Sequence, residues 1–163
     1  MTRLPALGPR GEGWVLAQSP LLVIVVAAGW FLGPDWSGPL RIIGVVIGVF
    51  LMVAGLGLIA RAIANLGDGM TPMPRPVDDG KLVVTGAFGL VRHPIYSGII
   101  AFAFGWAIAR ASVMAMAWAT VLLAFFYLKS VREEAWLETK YPGYAAYRAR
   151  TPRFIPWIGR SGG

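Results

Sequence analysis

Four stretches of the chain carry no charge over lengths that suit an apolar surrounding. Between Glu12 and Asp35 the run "WVLAQSPLLVIVVAAGWFL" is uncharged and predicts a membrane-crossing helix over 14–33. Ile42 to Ala60 is uncharged between Arg41 and Arg61. At 1.5 Å per residue it extends about 28 Å, close to the hydrocarbon thickness, and predicts a second crossing over 41–60. Two further runs, 93–109 and 112–128, are joined by the short link Arg110 to Ser112 and read as an antiparallel helical hairpin. Both are short for a full crossing, so tilt or burial under neighbouring segments is expected.

Polar material lies between and after these runs. Residues 61–92, with "GDGMTPMPRPVDDGKLVVTGAFG", predict a long loop, and "KLVVTG" is too short and mixed for a strand. A loop of that length is functional or disordered in most compact proteins. Residues 129–163 predict a helix leaving the membrane to about Lys140, a break at Pro142 and a second short helix to Arg150. The expected fold class is therefore an all-α integral membrane protein. It has a single domain, 1–163, with about four transmembrane helices and a C-terminal helical hairpin. Gly44 and Gly48 form a G-x-x-x-G pair, with Gly55 and Gly57 beyond it, and predict close backbone approach inside the chain more than dimerisation.

Composition narrows this further. A hydrophobic content of 56%, charge of 14% and a mean hydropathy of +0.62 exclude an ordinary soluble domain. The net charge of +7 would suit a nucleic acid, yet Lys and Arg gather at the ends and in the central loop. That is positive-inside patterning, so no nucleic-acid partner is expected. It predicts both termini, the central loop and any site there on the cytoplasmic side, with anionic membrane lipids as neighbours. Arg3 and Arg10 resemble the basic start of a signal peptide, but the uncharged stretch is long and "GWFLGPDW" is a poor cleavage site. The absence of cysteine excludes disulfides and thiolate chemistry, and a single histidine argues against a metal site.

Chemistry has one place to gather. The chain's histidine sits in "RHPIY", Arg92 to Tyr96, and the hairpin returns Glu133-Glu134 to the face from which it left. Taken singly, Arg92 and His93 read as interfacial caps, Pro94 as a first-turn proline and the glutamates as a solvated face. A cluster on one membrane face is also how a membrane enzyme places polar groups without burying them in lipid.

The order of these motifs is more specific than any one of them. Arg92-His93-Pro94-x-Tyr96, Gly98, a hairpin, Glu133-Glu134, Tyr144-x-x-Tyr147 and "RTPRFIPWIG" together resemble the isoprenylcysteine carboxyl methyltransferase family, grouped with membrane phospholipid methyltransferases, from about Gly80 to Gly159. The resemblance implies methyl transfer from S-adenosylmethionine to a lipophilic acceptor, at a cytoplasmic site formed by the central loop and the tail. It places Lys81, Leu82, Val83, Phe88, His93, Pro94, Ile95, Tyr96 and Glu133 at the cofactor, and nominates Arg92, His93 and Glu133 as positioning residues for the reaction. Lys129 and Arg153 are candidates for the acceptor.

Two positions depart from the family pattern. Phe88 stands where an aromatic hydroxyl is common, and Lys129 stands where eukaryotic members have an arginine. Lysine keeps the charge and loses the bidentate fork that suits a carboxylate.

The residue types fit the implied chemistry. A methyl sulfonium carries its own leaving group, so in-line displacement needs positioning of the acceptor at about 3 Å rather than a protein nucleophile. Glutamate suits an ammonium or ribose hydroxyls, arginine a carboxylate, and an aromatic face the sulfonium. A carboxylate acceptor is already ionised; an amine needs a base, for which His93 is a candidate. In the tail, Arg148, Arg150 and Arg153 read as an anchor, a headgroup clamp or a lid, and "RFIPW" places Phe154, Ile155 and Trp157 to cover the site. A phospholipid or other small-lipid N- or O-methyltransferase, an NAD(P)H-dependent membrane reductase and a non-catalytic assembly protein stay open as alternatives, as does the oligomeric state.

Overall fold

The computed structural model describes residues 4–33, 37–71, 73–75 and 80–156, and these are helical or irregular with no strand among them. Four helices make the body: α1 (Glu12–Phe31), α2 (Pro39–Leu66), α4 (Pro94–Ala109) and α5 (Val113–Lys140). A 3-10 turn (Gly67–Gly69) and the short α3 (Ala87–Leu90) lie in the central segment, and α6 (Tyr144–Arg150) follows α5. By length and apolarity α1, α2 and α5 could each cross a membrane. The 16-residue α4 is apolar but shorter, about 24 Å.

The helices pack in alternating direction. The most extensive pair is α2 with α4, and α1 and α4 each lie against α5. Small residues set the first contact. A Cβ on Gly55 would come within 2.5 Å of the Gly98 carbonyl, and one on Gly105 within 2.6 Å of the Gly48 carbonyl. No side chain fits between these backbones, so Gly48 and Gly55 of α2 face the chain's own α4; Gly57, expected to share in this approach, instead meets open space. The outward face of α2, including Ile43, Val46, Phe50 and Val53, is exposed.

One end of the bundle is tied by polar groups at the hairpin turn. Ser112 caps α5 by accepting from Ala115 N at 3.1 Å, and its hydroxyl lies 3.1 Å from the Ala28 carbonyl of α1. Arg110 donates to the Gly29 carbonyl at 2.9 Å and its guanidinium lies over Trp30 and Trp106. The Arg110 bond reaches a carbonyl of the last turn of α1, and the Ala28 carbonyl, which already accepts from Leu32 N, takes the Ser112 hydroxyl as a second donor.

Two elements run further than the charge pattern indicates. Helix α2 continues past Arg61 to Leu66, because "RAIANL" is made of helix-compatible residues whose charge does not stop the hydrogen-bond ladder. Helix α5 is continuous from Val113 to Lys140, carrying the apolar hairpin arm directly into the polar tail. The start of α1, the end of α2, the start of α4 and the end of α5 thereby meet at the bundle end opposite Arg110.

Candidate functional site

At that end the start of α4 is built by the tail. Pro94 occupies the first turn of α4, where a missing N–H costs nothing. The preceding N–H groups donate to tail carbonyls: Arg92 N to Pro152 O at 2.8 Å and His93 N to Arg153 O at 3.2 Å. The Ser97 hydroxyl lies 2.8 Å from the Phe154 carbonyl. Residues 151–154 thus act as a clamp on the "RHPIY" segment. Removing everything after Arg150 is expected to cost at least about 3 kcal/mol, taking about 1 kcal/mol for each of these three bonds, since the Arg153–Glu134 pair and the Thr151 carbonyl that accepts from Arg92 go with them, and to appear as a lower unfolding temperature in detergent.

Glu134 is the buried hub. Its Oε1 lies 3.0 Å from Arg92 Nε and 3.0 Å from His93 Nε2, and its Oε2 lies 2.8 Å from Arg153 Nη2. Two guanidiniums on one carboxylate keep it ionised, so it only accepts and His93 Nε2 carries the proton between them. Arg92 also donates to the carbonyls of Arg148 and Thr151. Its Nε and Nη1 thus serve the protein, although the residue borders the cavity described below.

Glu133, one residue earlier, does the opposite. Its Oε2 accepts from the Tyr96 hydroxyl at 2.6 Å and lies 3.7 Å from His93 Nδ1. Its Oε1 takes no hydrogen bond from any described residue. Tyr96 is held on both sides, stacked on His93 with ring centroids 5.4 Å apart and on Phe126 at 4.7 Å.

These groups open on a cavity of about 790 Å3, within the range of small-molecule sites. Its walls come from α1, the end of α2, residues 69–71, 73, 74 and 80–83, α3, the start of α4, the second half of α5 and α6. Each expected cofactor residue borders it: Lys81, Leu82, Val83, Phe88, His93, Pro94, Ile95, Tyr96 and Glu133. Lys129 borders it as well. Arg153 does not: it serves Glu134 and lies over the Tyr127 ring. Trp157, expected to cover the site, lies outside the described residues, as do 72 and 76–79 of the central loop.

Several contributors had little or no signal in the sequence. The loop wall hangs on two phenols: Tyr141 donates to the Gly80 carbonyl and Tyr147 to the Phe88 carbonyl, each at 2.6 Å. Burial pushes the Tyr144 and Tyr147 phenols well above their usual range, so both remain O–H groups at neutral pH. Asn65 accepts from Ala87 N at 2.9 Å, beside Gly86 at φ 62°, where a side chain would be strained and would strike Asn65. Gln18 of α1 accepts from Lys129 Nζ at 2.7 Å. A glutamine within an apolar run has no spacing that announces such a role.

The family model for phospholipid methyltransferase matches residues 43–143, which hold α2, α4, α5, both glutamates and "RHPIY". Protein-S-isoprenylcysteine O-methyltransferase B of Arabidopsis thaliana is 29% identical over 115 residues, which cover 68% of this chain and 58% of that protein. With more than half of its length matched by the family model, the chain belongs to the phospholipid methyltransferase family.

Proposed function

We propose that the protein is an S-adenosylmethionine-dependent methyltransferase acting on a lipophilic acceptor at the cytoplasmic face of a membrane in which its four apolar helices sit. The observation that carries this reading is one cavity in which the unspent Oε1 of Glu133, the stacked rings of His93 and Tyr96 and the ammonium of Lys129 meet, in a chain of a methyltransferase family. The donor set fits the cofactor. A carboxylate with one oxygen uncommitted suits an ammonium or ribose hydroxyls, and aromatic faces suit a sulfonium.

When bound, S-adenosylmethionine supplies a methyl group on a positively charged sulfur, which an acceptor atom can take without a protein nucleophile. The chain's own task is placement. Glu133 fixes the polar part of the cofactor, with Tyr96 and His93 holding that carboxylate in position. Leu82, Val83 and Phe88 form an apolar wall that keeps water from the reacting atoms. Arg92 and Glu134 hold His93, and so act as positioning groups.

The acceptor favoured is the carboxylate of an S-prenylated cysteine. An isoprenylcysteine O-methyltransferase is among the relatives, and the Lys129 ammonium borders the cavity where an amine acceptor would meet like charge. The test is transfer of labelled methyl from S-adenosylmethionine to N-acetyl-S-farnesylcysteine by the full chain in nanodiscs. Label released as methanol by base marks a carboxyl ester and is the expected result. Base-stable label found only when a total lipid extract is supplied would move the acceptor to a lipid amine, and no label on this acceptor or on the extract, from folded protein, would contradict the reading.

A further inference from the structure

Lys129 is a buried cation whose one hydrogen-bond partner among the described residues is uncharged. The residue is 1% exposed, and its Nζ donates to Gln18 Oε1 at 2.7 Å. The rings of Tyr96 and Phe126 lie 5.1 and 5.8 Å from the ammonium and carry no net charge. Glu133 stands one turn further along α5, yet no carboxylate of the described residues lies within 4 Å of Nζ, and Glu133 Oε2 is taken by Tyr96. Glu133 attracts the ammonium from beyond ion-pair distance; a buried ammonium with no carboxylate in contact is costly, and an amide oxygen satisfies one of its three N–H groups without neutralising it.

We propose that Gln18 is a specificity-determining residue of the acceptor end of the cavity: it fixes the Lys129 ammonium and leaves it with no carboxylate in contact, so that an anionic acceptor can form that contact. This brings α1 into substrate recognition, although α1 lies outside the segment 43–143 that the family model matches. Both residues border the same cavity. A glutamate at 18 would have nearly the same shape and would supply the counter-ion itself, removing the reason for an anion to bind. Identifying the anion as the methyl acceptor rests on the methyltransferase reading; the charge preference does not.

The experiment compares N-acetyl-S-farnesylcysteine with its carboxamide, by equilibrium binding to the full chain in neutral-lipid nanodiscs, with S-adenosylhomocysteine titrated in parallel. Wild type is expected to prefer the carboxylate about tenfold, since a hydrogen bond between charged groups exceeds its neutral counterpart by roughly this factor. Gln18→Glu is expected to reduce the preference to less than about twofold and to leave S-adenosylhomocysteine affinity within about twofold. Gln18→Met keeps bulk without the acceptor oxygen and is expected to raise the carboxylate Kd about threefold without moving the carboxamide, a loss smaller than a full hydrogen bond. A Gln18→Glu protein that keeps the tenfold preference, or a wild type with none, overturns the proposal. If Gln18→Glu does not fold, an unchanged carboxylate Kd in Gln18→Met overturns it. Absence of S-adenosylhomocysteine binding in wild type overturns the cofactor reading and leaves the carboxylate preference to be judged by itself.

Discussion

Glu134→Ala is expected to lose about 3–5 kcal/mol of stability, the range found when one member of a buried charge cluster is removed. Arg92 and Arg153 would face each other's charge with no carboxylate between them, and His93 would lose the acceptor at 3.0 Å that holds its Nε2. Arg153 is partly exposed and can turn toward water, so most of the loss comes from Arg92, whose side chain is 8% exposed. The damage is local in origin and wide in effect, because Arg92 also secures the Arg148 and Thr151 carbonyls and so joins α6 and the tail to α4. Thermal unfolding in detergent, followed by loss of helical signal, measures it. A variant that melts within a degree of wild type would show that Glu134 is not the hub.

Glu133→Ala is expected to separate binding from folding. The carboxylate has one hydrogen bond to Tyr96, a longer approach to His93 and a through-space attraction to Lys129. Its loss leaves a phenol that borders the cavity and can bond to water, so the melting temperature should hardly move. Affinity for S-adenosylhomocysteine should fall about a hundredfold, as expected for losing a charge-assisted contact with bound ligand. Glutamates one residue apart thus give opposite phenotypes. Equal loss of stability in both variants would contradict this division.

The same adjacent pair shows where sequence reasoning stops. That the hairpin returns Glu133-Glu134 beside "RHPIY" follows from a short turn between two apolar runs. Which glutamate faces the cavity does not, since successive residues on a helix point about 100° apart and the rotation of α5 is set by packing against α1 and α4. Arg92 poses the same problem. Its place beside the site is legible, but its donors turn toward Glu134 and two carbonyls supplied by residues 56 and 59 positions later.

Charge punctuates a membrane chain reliably and helix ends poorly. Arg61 ends an uncharged run but not α2, and Lys129 begins the polar tail while lying within α5. The small-residue pattern was more informative. Gly48 and Gly55 stand seven apart on α2, as Gly98 and Gly105 do on α4, and this shared period lets two antiparallel backbones meet. Gln18 lay beyond reach of pattern, because its partner is 111 residues away on another helix. The tyrosines at 141 and 147 are similar: a phenol reaching a loop carbonyl about 60 positions earlier leaves no local trace.

The central claim is that the cavity between "RHPIY" and Glu133 is a methyl-donor site. Calorimetric titration of the folded full chain with S-adenosylhomocysteine, and separately with NADPH, tests it most directly. The account predicts saturable one-site binding of S-adenosylhomocysteine that is lost in Glu133→Ala at an unchanged melting temperature, and no saturable binding of NADPH. Saturable NADPH binding, or folded wild type that takes up no S-adenosylhomocysteine, would contradict it.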